Sequence, residues 1–591
     1  MSIPVERCIV SRDLTEPRLS PDGRCLVYAM NAGGSAALMI DTLDGAPVRQ
    51  LTAYPAPRPG RGFGGGCWCW NPDGSSVVYA GVDGNLWSQP VPAGPVRQLT
   101  QHGPERSATA PVVCVDRGEV VYVIDDAEVW STRIGDGSSR RLDDGSADFV
   151  FDPCPAPDGS AVWWQAWSVP DMPWDASRIQ RFVFDRASVE EERPAHAIQQ
   201  IRFLPDGTVT CLRDDSGWLN LWLGGKPLVD EAFEHGGPAW GMGQRSYAMS
   251  PNADRIAFTR NERGFGRLCV VDVDSRVVTE VARGVHGQLS WQGGRLAALR
   301  SGARTPTQVV VYDDATWERN VVAIGPLSGW EDLPLAEPDL VEIATSDGSA
   351  VHARLYCADS PTDHLLCWLH GGPTDQWQVT FMPRIAYWRS RGWNVLVPDH
   401  RGSTGHGRLY QQAMRGRWGE LDVSDTIDSI SHAHAQGWGA PQRTAIIGSS
   451  AGGFTALGVA ATRPDLAAAA IVAYPVTDLS DLAERSHRFE RHYTDSLVGP
   501  LPAAQPLYDV RSPSHFAPRL AATPLLVMHG DSDPVVPVEQ SAKFVERCLE
   551  AGGSVEFVVY EGEGHGFRKP ENQLDEYRRM QTFLATHVLG G

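Results

Sequence analysis

Residues 444–463 read TAIIGSSAGGFTALGVAATR. The first four are a short strand-like run, and the last ten include three alanines and a leucine, both good helix formers. Between them Gly448-Ser449-Ser450-Ala451-Gly452 leaves room only for a tight turn. A strand that turns at once into a helix is one unit of a parallel sheet with crossover helices. The glycines fit a turn that neighbouring backbone passes closely, where a Cβ would clash. Such a turn lifts the Ser450 hydroxyl clear of the sheet, and the helix that follows presents N–H groups to negative charge. Ser450 is the candidate nucleophile.

The same grammar extends on both sides. Strand-like runs at 365–369, 394–398, 470–474, 525–529 and 555–560 alternate with helical stretches at 422–436, 453–462, 538–551 and 571–588. This predicts a C-terminal domain over 329–591 with a parallel sheet. Its boundary falls in a stretch near 325–335 that holds Pro326 and Pro334 and has no clear periodicity.

A serine hydroxyl is a weak nucleophile until a base takes its proton. In chain order Ser, Asp, His, the partners should follow later strands. The run at 525–529 leads into Gly530-Asp531-Ser532-Asp533, and that at 555–560 into Glu561-Gly562-Glu563-Gly564-His565. His565 is the expected base and Asp533, favoured over Asp531, its orienter. His400, His406, His432 and His434 lack such placement and default to structural roles. An oxyanion needs donors already aimed at it. Ala451 N–H is one; the other lies in His370-Gly371-Gly372-Pro373, just after the first strong strand, with Gly372 favoured.

The N-terminal half repeats. Pro-Asp-Gly stands at 21–23, 72–74, 157–159 and 205–207, each time before a β-rich run. A degenerate copy, Pro251-Asn252-Ala253-Asp254, and two weaker ones, 114–123 and 289–299, bring the number to seven. Proline fixes φ and Asp-Gly supplies the turn, so each copy is a hairpin corner. A spacing of about 40–50 residues is that of propeller blades. The expectation for 1–328 is an all-β propeller of seven blades.

The chain has 591 residues, 42% of them hydrophobic, enough for sizeable cores. With 52 Lys+Arg against 72 Asp+Glu its net charge is −20, which argues against a nucleic-acid partner. Eleven scattered cysteines form no disulfide framework, and Cys67-Trp68-Cys69 has no second pair to complete a zinc site. No metal or cofactor is expected. No signal peptide or membrane-length apolar run is legible, so the expectation is a cytoplasmic protein with no membrane partner. Exposed blade edges or the C-terminal domain's surface could pair subunits into a homo-oligomer.

Taken together, HGGP (370–373), DHRGSTGHGR (399–408), WGELDV (418–423), GSSAGG (448–453), HGDSDPVVP (529–537) and GEGHGF (562–567) resemble the prolyl oligopeptidase family of serine peptidases, in its acylaminoacyl-peptidase and dipeptidyl-aminopeptidase-like branch. The resemblance implies an α/β-hydrolase fold for the C-terminal domain and a Ser450–Asp533–His565 triad working through an acyl-enzyme. It also implies short peptides as substrates, N-acylated or aminopeptidase-type among them, and a propeller that limits their size. By the same resemblance Tyr493 falls on an aromatic wall of the specificity pocket, with Leu497 on the same helical face. Two departures stand out. Ala451 replaces an aromatic residue that many relatives carry after the nucleophile, and no glutamate pair of the dipeptidyl-peptidase kind is legible in the propeller. Triad and oxyanion hole do not separate amide from ester, so an esterase or small-molecule amidase is the alternative. A catalytically idle binding scaffold is a rival from another class, disfavoured by the intact triad positions.

Overall fold

The computed structural model describes residues 2–9, 12–60, 63–103, 105–192, 196–325, 329–330, 332–333 and 335–590. The chain forms two compact units, Ser11–Ser328 with Gln378–Phe381, and Met1–Val10 with Gly329–Trp377 and Met382–Gly591. Pro326 and Pro334, read as the boundary, lie outside the described residues. Residues 2–9, read with the blades, pack in the second unit. Ile3 N–H donates to Ser390 Oγ at 2.9 Å, and Arg391 donates to Ile3 O at 2.9 Å. In return, residues 378–381 join the blades, Val379 N–H donating to Gly264 O at 2.8 Å.

Among the described residues the first unit holds seven four-stranded antiparallel sheets, over 12–50, 68–98, 108–141, 149–192, 198–227, 247–283 and 285–324. It is a seven-bladed propeller. In all seven motif copies the turn lies between the first and second strands of a blade. The glycine in the Pro-Asp-Gly turns is required: Gly23, Gly74, Gly159 and Gly207 have φ of 66–86°. Ala253 takes the same turn at φ 58°, so the degenerate copy keeps the geometry at a steric cost.

First strands contact one another from the second blade to the fifth and from the sixth round to the first. At the two remaining junctions run the loops entering the second and sixth blades, and these loops meet. Gly65 N–H donates to Met242 O at 2.8 Å, and a Cβ on Gly243 would stand 2.1 Å from Gly66 N. The first strands of five blades each carry a residue at positive φ within a register shift: Glu16, Ala110, Asp152, Gln200 and Gln288. Such bulges re-aim a side chain. Glu16 accepts from Cys67 N–H (3.0 Å), Asp152 from Gly243 N–H (2.6 Å) and Gln200 from Ser246 N–H (2.9 Å), while Gln288 donates to Phe63 O and Gly243 O (2.7 Å each). The bulges thus anchor the crossing loops.

Among the described residues every blade is built from four consecutive strands, and no sheet borrows one from the far end of the chain. First and last blades join through side chains. Arg12 Nε donates to Ile324 O at 2.7 Å, and Leu14, Leu19 and Tyr28 pack on Leu299, Val309 and Val311.

The second unit is an α/β-hydrolase fold around one eight-stranded sheet. Its strands are β1 (Asp339–Ala344), β2 (Ala350–Tyr356), β3 (Leu365–Leu369), β4 (Asn394–Asp399), β5 (Thr444–Ser449), β6 (Ala469–Ala473), β7 (Leu525–Gly530) and β8 (Val555–Tyr560). Their order is β1-β2-β4-β3-β5-β6-β7-β8, antiparallel only at β1–β2 and β2–β4. The principal helices are α1 (Pro383–Arg389), α2 (Leu421–Ala435), α3 (Ala451–Thr462), α4 (Tyr493–Leu497), α5 (Val538–Glu550) and α6 (Pro570–His587). Ile446, Val472 and Val527 pack with Ile430, Leu457 and Phe544 of α2, α3 and α5, and such strands, buried on both faces, read as unbroken apolar runs. In a sheet of this type the residues that follow the strands share one edge. Ser450, Asp533 and His565 follow β5, β7 and β8.

Candidate active site

Ser450 joins β5 to α3 at φ 55° and ψ −126°, a conformation the surroundings must enforce. They do so by close approach. A Cβ on Gly448 would come within 2.1 Å of Gly452 O, and one on Gly452 within 2.5 Å of His370 O. No larger residue fits at either point. His565 Nε2 lies 2.9 Å from Ser450 Oγ, and His565 Nδ1–H donates to Asp533 Oδ2 at 2.7 Å. Asp533 Oδ1 accepts from Val535 and Val536 N–H at 2.8 and 3.0 Å. Burial raises the Asp533 pKa, but hydrogen bonds from His529 and His565 outweigh it and hold the carboxyl well below the usual carboxylate range. An ionised Asp533 fixes the tautomer in which Nε2 can take the serine proton. Asp531 instead accepts from Gly562 N–H at 2.7 Å and holds the start of the His565 loop.

The glycine turn after β3 comes up against the same serine. A Cβ on Gly371 would stand 3.5 Å from Ser450 Cβ. Gly372 has φ 123°, open only to glycine. Ala451 is the first residue of α3, so its N–H has no partner within the helix. The turn is braced by His370, whose Nδ1–H donates to Gly371 O and whose Nε2 accepts from Ser403 Oγ, both at 2.7 Å. Burial pushes the His370 pKa down to about 3, so the ring stays neutral and keeps this bonding pattern. A serine hydroxyl, an imidazole with its carboxylate, and a glycine turn beside a helix N-terminus are arranged as acyl transfer requires.

Residues 379–590 match the model of the prolyl oligopeptidase family. Over that span, about a third of the chain, the sequence is similar to that family. The chain is 28% identical over 271 residues to dipeptidyl peptidase family member 6 of Caenorhabditis elegans, covering 45% of this chain and 36% of that one. It is 28% identical over 235 residues to the acylamino-acid-releasing enzyme of Arabidopsis thaliana, covering 38% and 30%. The chain thus spans about a third of the length of these curated relatives. A solved structure of a puromycin-hydrolysing peptidase of Mycobacterium tuberculosis matches 99% of this chain and 95% of its own, at 26% identity and a TM-score of 0.89.

In the α/β-hydrolase unit Tyr493 and Leu497 lie on α4 and are 5% and 3% exposed. The Tyr493 hydroxyl donates to Thr374 Oγ1 at 2.5 Å, tying α4 to the residue that follows HGGP. Three contributors escaped the sequence reading. Tyr474, just after β6, packs against His565 with ring centroids 4.6 Å apart and planes tilted by 56°, and holds φ 38°. Glu563, 2% exposed, accepts from Arg568 and Lys569 N–H and Asn572 Nδ2 at 2.8–2.9 Å, and so anchors the His565 loop to α6. Asp399, at the end of β4, meets Arg354 through two 2.6 Å bonds and also binds Gln376 and His406. The Arg354 guanidinium keeps the Asp399 carboxyl far below its ordinary range despite burial. The one signal for Glu563 and Asp399 was a carboxylate inside a motif, which alone does not name its partners.

Other histidines take structural places. His400 stacks on His370 at 4.8 Å, His434 Nε2 meets Thr444 Oγ1 at 2.8 Å, and His432 packs on Trp438. Among the described residues no group of three or more His, Cys, Asp or Glu is placed to hold a metal. All eleven cysteines are free thiols. Among the described residues no helix is long and apolar enough to cross a membrane.

Proposed function

We propose that the protein is a serine peptidase of short peptides. The observation that carries this reading is the hydrogen-bonded chain Ser450–His565–Asp533, with bonds of 2.9 and 2.7 Å. Ser450 Oγ bonds to the scissile carbonyl carbon as its proton passes to His565 Nε2. The oxyanion is held by the N–H groups of Ala451 and Gly372. His565 then gives that proton to the leaving amine as the C–N bond breaks; water, deprotonated by the same imidazole, bonds to the acyl carbon, and the imidazolium returns the proton to Ser450 Oγ as the ester bond breaks. The Asp533 carboxylate stabilises the imidazolium formed on the way.

Tyr493 and Leu497 are proposed as the wall of the acyl-side pocket, since Tyr493 is bonded to the loop that carries Gly372. The propeller is proposed to limit substrate size. Eleven unpaired thiols accord with a reducing compartment, and we place the protein in the cytoplasm. A mass-spectrometric digest of a peptide library tests these points together, with Ser450→Ala as control. Short peptides should be cut and folded proteins spared, and Tyr493→Ala should change the P1 preference. Equal cutting by wild type and S450A would overturn the assignment.

A second reading, hydrolysis of a small-molecule amide, is favoured by the likeness along nearly the whole chain to a puromycin-hydrolysing peptidase. Puromycin, a p-nitrophenyl ester and acyl-peptide anilides offered side by side discriminate the two. A kcat/KM for puromycin well above that for every peptide would replace the first reading by the second.

A further inference from the structure

His529, near the end of β7, is wholly buried, and the steps of acyl transfer give it no proton to carry. Its ring bridges two places. Nε2 lies 2.9 Å from Val536 O, and Nδ1 lies 2.8 Å from Oγ of Ser541, a buried residue in the first turn of α5. A carbonyl oxygen only accepts, so Nε2 carries the proton and Nδ1 is left to accept from the Ser541 hydroxyl. The same Nε2 stands 3.4 Å from Asp533 Oδ2, the oxygen to which His565 Nδ1–H donates at 2.7 Å. Two main-chain N–H groups occupy Oδ1. The carboxylate is thus held on both oxygens, and two imidazoles share one of them.

Burying an imidazole costs free energy unless both nitrogens find partners, and an apolar side chain would fill the same space without that cost. The N–H of His529, more than its volume, is what the place requires. We propose that His529 is a positioning residue of the reaction: its Nε2–H keeps Asp533 Oδ2 turned toward His565 Nδ1, and Ser541 fixes the tautomer that makes this possible. The proposal deepens the serine-peptidase reading and rests on it. When His565 becomes an imidazolium, Asp533 must keep both its charge and its direction. A ring N–H beside Oδ2 favours the ionised carboxylate and opposes rotation about Cβ–Cγ. A displacement of about 1 Å at such a point can cost roughly 10²-fold in rate.

The test compares wild type, His529→Leu, His529→Gln and Ser541→Ala as full-length proteins. Turnover is measured with a p-nitrophenyl ester and with the peptide that wild type cuts best. The proton between His565 and Asp533 is followed as a low-field resonance in 1H NMR. His529→Leu should lower kcat roughly 10²-fold at unchanged KM. His529→Gln, whose amide can place an N–H near the Nε2 position, should recover most of that loss. The resonance should move in His529→Leu and in Ser541→Ala, and Ser541→Ala carries the test if His529→Leu does not fold. Wild-type kcat in His529→Leu, a His529→Gln as slow as His529→Leu, or a resonance unmoved in Ser541→Ala overturns the proposal. Equal turnover by wild type and Ser450→Ala would instead sink the underlying reading, and the resonance would still report on the His529 contact.

Discussion

The two halves of the chain spend backbone strain differently. Among the described residues thirteen non-glycine residues with positive φ lie in the propeller and two, Ser450 and Tyr474, in the hydrolase half. In the propeller, strain recurs at bulges and turns and belongs to the repeat. In the hydrolase half it is confined to Ser450 and to Tyr474, whose ring packs tilted against His565. Pairing differs as well. Propeller strands bond to their sequence neighbours, whereas β3 pairs with β5 across 79 residues and His565 reaches Ser450 across 115. A repeat can absorb a local fault, while a site assembled from distant loops stakes its chemistry on single residues.

Each prediction probes that contrast. The largest effect belongs to Ser450→Ala, expected to lower kcat by roughly 10⁴–10⁶-fold with unfolding unchanged, as read by turnover and circular dichroism. Ordinary turnover would show that the strained residue is not where the chemistry lies. Asp399→Asn leaves Arg354 buried without its counter-charge and should cost the hydrolase half about 3–5 kcal/mol in denaturant unfolding. The propeller's own transition should stay in place.

A pH experiment sharpens the comparison next. Asp375, beside the HGGP turn, has its pKa raised to about 6, with burial the main cause. Unfolded, it would titrate near ~3.9. Between these values the folded state binds more protons, so stability falls as pH rises through the window, and the full penalty stands above it. Asp375→Asn should flatten that slope in Tm measured from pH 4 to 7. The smallest effect is in the propeller. Ala253→Gly removes the side chain from a left-handed turn and should stabilise by up to about 1 kcal/mol, with no change in kcat.

What was legible in the sequence follows the same division. The Pro-Asp-Gly turns are local, so seven blades were readable from spacing alone. The elbow around Ser450 and the loops ending in Asp533 and His565 were readable because strand, turn and helix follow one another along the chain. The bulges at Glu16, Asp152, Gln200 and Gln288 left no mark, because one extra residue in a strand shows only against its partner. The association of residues 2–9 with the hydrolase half was equally hidden, since it rests on bonds to Ser390 and Arg391 far along the chain. Tyr474 and Glu563 gained their places only when β6, β8 and α6 came together.

A circle whose every sheet is complete in itself has two free ends, as a split washer does. Parting that joint would sever the Arg12 bond and slide Leu14 and Leu19 off Leu299 and Val309, while no ladder of paired strands would unzip. A pull applied at residues 12 and 324 should therefore spring the gap before it unravels any blade.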